Sequence, residues 1–245
     1  MRLTFLGSGD AFGSGGRLNA CFHLERAAHG NVLIDCGATS MVAIRRGQVD
    51  PNAVSTVLVS HLHGDHFGGL PFLILEYMFE TPLRKNLVIA GPRHLEQRTW
   101  ALFRVMYPEF DTSKIARKLK FVELAPGKST RLGRIKVDTV RTPHTVKDIS
   151  LAFRIEAAGK TIAFSGDTGW TEGLIPLSAD ADLFLSECTY FKTQTDFHLS
   201  YPMIAANRGR FSARRMVLTH LGREMLEKIS KVEFEMASDG MTIDL

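Results

Sequence analysis

Cysteine is scarce in this sequence: there are three, Cys21, Cys36 and Cys188, in no C-x-x-C spacing. An odd, unpaired set argues against a disulfide framework. Each sits beside a strand-like run, which predicts buried free thiols and a reducing compartment. Long hydrophobic runs are missing too. No apolar stretch approaches membrane-spanning length, and Met1 to Leu6 leads straight into a strand and then glycines, with no signal-peptide core. The expectation is a soluble, cytoplasmic protein with no membrane partner. No sign of charge dominates; a formal charge of +4 and a pI near 9.0 permit an anionic substrate without requiring one. Linkers, low-complexity tracts and short-period repeats are lacking. The glycine-rich stretch Asp10 to Asn19 has neither the Lys-Ser/Thr of a P-loop nor the helix of a dinucleotide fingerprint, so it reads as a loop able to reach over a site. What remains is an ordinary globular composition, 44% hydrophobic and 23% charged over 245 residues, enough to bury a substantial core.

One stretch stands out, Ser60-His61-Leu62-His63-Gly64-Asp65-His66-Phe67-Gly68-Gly69, directly after the apolar run Val54 to Val59. Side chains alternate along a strand, so an extended run puts His61, His63 and Asp65 on one side. His66, at the start of a helix, approaches the same centre from a second direction. Imidazole and carboxylate together suit zinc, with manganese or iron as substitutes.

Leu3 to Leu6, Ala20 to Glu25 and Val32 to Ile34 read as strands, the last two joined by a tight turn through Ala28-His29-Gly30-Asn31. A short helix over Ser40 to Arg46 precedes the strand that delivers the cluster. Leu70, Leu73, Ile74, Tyr77 and Met78 then recur at helical spacing. Leu87 to Ala90 reads as a strand, and Gly91-Pro92 as the start of a helix with Pro92 in its first turn. Lys114 to Lys120 is a basic run, read as a solvated loop or a nucleic-acid contact. Short strands follow at Phe121 to Leu124, Ile135 to Val140, Ile149 to Ile155 and Thr161 to Phe164. Leu183 to Ser186 and Met216 to Thr219 read as strands, Tyr201 to Gly209 and Arg223 to Ser230 as helices. Val232 to Met236 and Met241 to Ile243 read as a closing hairpin over Ser238-Asp239-Gly240. Each half runs through strands and then helices, so residues 1–245 read as one domain of two similar halves.

Three later positions repeat the logic of the cluster. His144 follows one strand, Asp167 another in Ser165-Gly166-Asp167-Thr168-Gly169, and His220 a third in Leu218-Thr219-His220-Leu221-Gly222. Together with the cluster they supply seven ligands, which suits two metal ions sharing a bridging carboxylate.

H-x-H-x-D-H followed by single His, Asp and His positions at strand ends resembles the metallo-β-lactamase-fold hydrolases, from Leu6-Gly7-Ser8-Gly9 to Asp239-Gly240-Met241. The resemblance implies an α/β fold, a four-layer αββα sandwich of two mixed sheets flanked by helices. It implies that His61, His63 and His144 hold one zinc, that Asp65, His66 and His220 hold the other, and that Asp167 bridges. Asp167 is not the Cys of several true β-lactamases, which counts against antibiotic hydrolysis. Two zinc ions about 3.5–4 Å apart lower the pKa of a shared water from ~15.7 towards ~7, and Asp65 is placed to orient or accept its proton. Asp35, in an Ile-Asp-x-Gly turn, is expected beneath the histidine loop, holding a ligating imidazole.

Two further residues resemble the ribonuclease Z branch: Glu187 in Ser186-Glu187-Cys188-Thr189-Tyr190, and His198 in His198-Leu199-Ser200. There the pair helps protonate the leaving oxygen, which implies a phosphodiesterase. Leu6-Gly7-Ser8-Gly9 with Arg17-Leu18-Asn19 also resembles that branch, although Leu18 interrupts the usual Arg-Asn. Members that process transfer RNA often carry a long arm between the positions of His144 and Asp167. Here twenty-two residues separate them, enough for a plain hairpin. A cyclic nucleotide, dinucleotide or RNA end is therefore as good a substrate as transfer RNA. Arg208, Arg210, Arg214 and Arg215 are able to meet a phosphate backbone. The shared ligands leave a carbonyl-ester hydrolase (thioesterase, glyoxalase II-like or lactonase) open, as well as a binding protein with structural zinc. Homodimers are common among such relatives.

Overall fold

The computed structural model describes residues 1–25 and 30–245. The first sheet is built from β1 (Arg2–Gly7), β2 (Cys21–Glu25), β3 (Asn31–Ile34), β4 (Val54–Leu58), β5 (Leu87–Gly91) and β6 (Leu119–Glu123). The second holds β7 (Ser129–Leu132), β8 (Ile135–Thr142), β9 (Ser150–Ala157), β10 (Lys160–Phe164), β11 (Leu183–Glu187), β12 (Met216–Thr219) and β13 (Glu235–Met236). The last strand, β14 (Thr242–Asp244), returns to the first sheet beside β1. Each sheet is mixed. Strands β14 to β3 pair antiparallel and β3 to β6 parallel; β7 to β10 pair antiparallel and β10 to β13 parallel.

Alternation along the strands sorts the hydrophobic residues into three layers. Leu3 and Phe5 of β1, Phe22 and Leu24 of β2, and Leu151, Phe153 and Ile155 of β9 fill the space between the sheets. There Phe5, Phe22 and Phe164 meet edge to face with ring centroids 5.3 Å apart, tying β1 and β2 to β10 across the sandwich. Leu6, Cys21 and Leu33 turn outward against α1 (Ser40–Arg46), α3 (Leu70–Phe79) and α4 (Leu95–Met106); α2 (Gly64–Phe67) and α5 (Ser113–Ala116) are single turns on that side. Ala152, Ala163 and Phe184 turn outward against α6 (Leu174–Ser178), α7 (Tyr201–Asn207) and α8 (Arg223–Glu227). Helices, sheet, sheet, helices make four layers.

Several expectations need correction. The closing hairpin does not form: β13 lies parallel to β12 in the second sheet, while β14 lies antiparallel to β1 in the first. Each short segment finds an open sheet edge, and the chain crosses between sheets at 237–241. The crossing is pinned by Asp239, whose carboxylate accepts from Ser8 N, Ser8 Oγ and Leu18 N. The helix expected at Pro92 starts at Leu95, because Gly91 is paired with Glu123 and His94 takes a left-handed backbone with φ 72°. The basic run Lys114 to Lys120 is not a plain loop, since Ile115 and Leu119 are buried and anchor α5 and β6. Strand β7 was not anticipated. Of the turn expected between β2 and β3, Ala28 and His29 lie outside the described residues.

A candidate metal centre at the strand ends

The functional residues collect where the two sheets meet at one end of the sandwich. Leu151 N donates to Ser60 O at 3.0 Å, and His220 N to Ser8 O at 3.1 Å, so loops from both sheets are stitched together there. The end of β4 delivers His61 and His63. Asp65 does not continue the extended run as expected: α2 begins at Gly64, and Asp65 and His66 both lie in its single turn. His144 comes from the end of β8, Asp167 from β10 and His220 from β12, in the manner of α/β sheets, whose ligand sites lie outside the carboxyl ends of parallel strands. His220 takes a left-handed backbone, φ 54°, as does Asp35, φ 59°. Such strain gathers at functional sites.

All seven residues converge. The ligand atoms of His61, His63 and His144 lie within 4.8 Å of one another, and so do those of Asp65, His66, Asp167 and His220. Asp167 Oδ2 stands between the groups, 3.3 Å from Nε2 of His66 and His220, 3.7 Å from that of His144 and 3.9 Å from that of His61. Among the described residues, His61 Nε2 and His66 Nε2 are buried with no hydrogen-bond partner. A buried nitrogen without a partner costs free energy unless something coordinates it. Imidazoles and carboxylates of this spacing fit a divalent cation. Burial pushes His61 well below its usual pKa, and His63 and His144 below it as well, which leaves lone pairs free for a metal. Burial opposes ionisation of Asp65 and Asp167, but the imidazoles beside them hold both below the carboxylate range.

Several of the rings are aimed by a second partner. His66 Nδ1 donates to Asp35 Oδ2 at 2.7 Å, and Asp35 also accepts from Ser60 N and Ser60 Oγ. Asp35 thus lies beneath the cluster as anticipated. Gly37 is required for this approach: a Cβ there would stand 2.1 Å from Asp65 O. His144 Nδ1 donates to Phe197 O at 2.9 Å, turning Nε2 towards the centre.

Residues 1–239 match the family described as Anti-Pycsar protein Apyc1. The chain belongs to that family. As an Apyc1-family protein it is 32% identical to the "Uncharacterized protein Rv1339" of Mycobacterium tuberculosis, over 96% of this chain and 87% of that one. It is 24% identical to the ribonuclease Z of Methanosarcina acetivorans, over 100% and 98%. The crystal structure of human tRNase Z, short form, superposes with a TM-score of 0.78 at 26% identity, over 100% and 99% of the chains. This Apyc1-family chain is therefore a metallo-β-lactamase-fold, ribonuclease Z-like hydrolase, metal-dependent and acting on ester bonds.

Beside the metal centre of the Apyc1-family chain lies a second constellation. Glu187 is fully buried at the end of β11, and His198 Nδ1 meets its Oε1 at 2.9 Å. Burial lowers the His198 pKa, but Glu187 more than offsets this and raises it above 6.5. The His198 ring lies 4.7 Å from that of His144 and 5.7 Å from that of His220. Thr189, not singled out from sequence, links the two constellations. Its hydroxyl donates to Glu187 Oε2 at 2.8 Å and lies 3.0 Å from His220 Nδ1. The available signal was its spacing, two residues beyond Glu187 and so on the same side of an extended segment. Asp239, in the Asp239-Gly240-Met241 stretch of the resemblance, holds Ser8, whose carbonyl receives His220 N.

Proposed function

We propose that this protein is a binuclear phosphodiesterase that cleaves a small phosphodiester, a nucleotide or an RNA end, with two zinc ions and with manganese or iron as substitutes. The supporting observation is the Glu187–His198 pair set against both ligand groups. His61, His63 and His144 hold one ion, and Asp65, His66 and His220 the other, with Asp167 between. When bound, the ions supply a water acidified towards a pKa of ~7 and neutralise charge on the attacked phosphoryl group. Asp65 orients the proton of the nucleophile. His198, kept protonated by Glu187 at Nδ1, hands its Nε2 proton to the departing oxygen. An alkoxide is a poor leaving group and needs that proton; a thiolate does not, so the pair has a task in phosphodiester cleavage that a thioester lacks.

A short substrate is favoured over a long one. The stretch between His144 and Asp167 is occupied by β9, β10 and the tight turn between them, in one domain of two similar halves, with no arm to grip a folded RNA. Arg208, Arg210, Arg214 and Arg215 are each paired with a carboxylate, of Glu233, Glu172, Asp182 and Glu235. Paired arginines make a poor phosphate track. Cys21, Cys36 and Cys188 are free and buried, which suits a cytoplasmic location, and among the described residues no helix is long and apolar enough to cross a membrane. A second copy of the chain would dock on the apolar hollow of about 820 Å³ lined by Val42, Phe72, Phe79 and Phe110. Its rim carries Arg46 together with Glu80 and Glu109, a self-complementary set for a two-fold contact.

Turnover of bis(p-nitrophenyl) phosphate is expected to exceed that of a thioester and a lactone; faster hydrolysis of the carbonyl esters would overturn the reading. Transfer-RNA precursors and cyclic nucleotides in the same panel separate long from short substrates. Should the metal be structural only, Asp65→Ala and His198→Ala would leave function intact.

A further inference from the structure

Seven large apolar side chains are prominently exposed among the described residues: Phe12, Val42, Phe79, Val105, Val146, Phe197 and Ile229. Scattered exposed hydrophobes are ordinary and need no explanation. Three of these, however, sit on loops that carry or back the candidate metal centre. Phe197 immediately precedes His198, and its own carbonyl receives His144 Nδ1. Val146 lies two residues beyond His144 and is 81% exposed. Phe12, 88% exposed, lies on the glycine-rich loop that leaves Ser8 and Gly9, where Ser8 O accepts His220 N and Gly9 bridges Leu221.

These loops are built, not slack. The buried Asp10 carboxylate accepts from Phe12 N, Ser14 N and Ser14 Oγ, closing the loop that presents Phe12. Thr145 Oγ1 donates to Asp148 O, and Arg98 pairs with Asp148 at 2.6 Å, bracing the segment that carries Val146. Glu224 accepts from Lys192 N and from Thr193, and Thr195 Oγ1 accepts from His198 N, bracing the approach to Phe197. Three braced loops after strand ends thus hold apolar groups in water on segments that carry or back a highly polar centre. Exposing them costs solvation, and holding the loops still removes the entropy loss that ligand binding would otherwise impose.

We propose that Phe12, Val146 and Phe197 form an apolar rim that receives the flat organic group, such as a nucleobase, attached to the phosphodiester held at the metals. Phe197 is the principal contact, because its backbone is bonded directly to a ligating imidazole. The inference rests on the phosphodiesterase reading and adds to it the residues that choose the substrate. An aromatic face accepts any base by stacking, so the rim selects for a planar group without selecting its hydrogen-bonding edge.

The test compares two esters with the same leaving group on the metal-loaded protein: thymidine 5′-(p-nitrophenyl phosphate), which bears a base, and its abasic counterpart 1,2-dideoxyribose 5-(p-nitrophenyl phosphate), which keeps the sugar and lacks the base. The ratio of their kcat/KM values isolates the base. Phe197→Ala is expected to lower that ratio about tenfold, equivalent to ~1.4 kcal/mol, mainly through KM for the base-bearing ester. Phe12→Ala and Val146→Ala shift it the same way by less, and Phe197→Tyr restores it. Val105→Ala, at an exposed apolar residue near the end of α4 and on none of these loops, leaves both esters unchanged. Phe197 is about half exposed and its bond to His144 is made by the backbone, so the alanine variant folds; a zinc titration of the variant verifies the intact centre. An unchanged ratio in active variants overturns this inference alone. An unmodified protein that hydrolyses neither ester overturns the phosphodiesterase reading and this inference with it.

Discussion

Replacing Glu187 by Gln keeps the shape of the side chain and removes its charge. The native carboxylate accepts three hydrogen bonds: Oε1 from Thr168 N and His198 Nδ1, and Oε2 from Thr189 Oγ1. An amide offers one accepting oxygen and one donating nitrogen. If the oxygen keeps Thr168 and His198, the nitrogen faces the Thr189 hydroxyl, which must turn its own proton towards His220. His198 also loses the charge that raises its pKa. Hydrogen bonds to charged groups contribute about 1.5–3 kcal/mol, so the variant is expected to lose stability of that order. The larger effect falls on the leaving group, where general-acid assistance contributes roughly 10²–10⁴-fold. For a phosphodiester with an alkyl leaving group, kcat should fall by that factor. For bis(p-nitrophenyl) phosphate, whose leaving group departs unprotonated, it should change little. The pH profile supplies the sign. A raised His198 pKa keeps the acid protonated to higher pH, so activity on the alkyl ester falls as pH rises through it, and in the variant that fall moves to lower pH. An equal loss on both esters would refute the assignment of His198 as the acid.

Chelation should abolish activity and lower the Tm, with zinc restoring both; at a thousandfold excess over Kd the metal contributes about 4 kcal/mol, and calorimetry with elemental analysis checks for two ions per chain. Asp35→Asn keeps the volume beneath His66 but lacks the charge that holds its Nδ1–H. Zinc affinity should drop about 10–100-fold in a competition titration, with the folded state retained. His23 is buried on β2 with neither ring nitrogen hydrogen-bonded among the described residues, Glu25 Oε1 standing too far off at 3.7 Å. Burial depresses its pKa below 6.5 against the opposing pull of Glu25, so the unfolded chain takes the proton more readily. Stability is then full above that value and declines as pH falls below it. His23→Leu should flatten the difference between urea unfolding at about pH 7.5 and about pH 5.5.

The centre was legible in the sequence because much of it is local. His61, His63, Asp65 and His66 sit within six residues, and a strand–turn–helix segment of that length brings them together whatever surrounds it. The positions after strand ends, His144, Asp167 and His220, were legible for a related reason: β-branched and aromatic runs announce where strands stop. Strand partners were not legible in this way. The separation of β13 and β14 allows one hairpin, but pairing is decided by which sheet edge lies open, a property of the assembled sandwich. The ionic partners of Arg208, Arg210, Arg214 and Arg215 lie between 20 and 38 residues away, in no pattern that a sequence window displays. Spacing puts Thr189 on the same side of the extended segment as Glu187, but its link to His220 exists only where β11 and the loop after β12 converge. The sequence determined the chemistry this chain can hold and the strand ends that present it. Tertiary structure decided which second partners aim those groups, because such hydrogen bonds join residues that meet only once both sheets are packed.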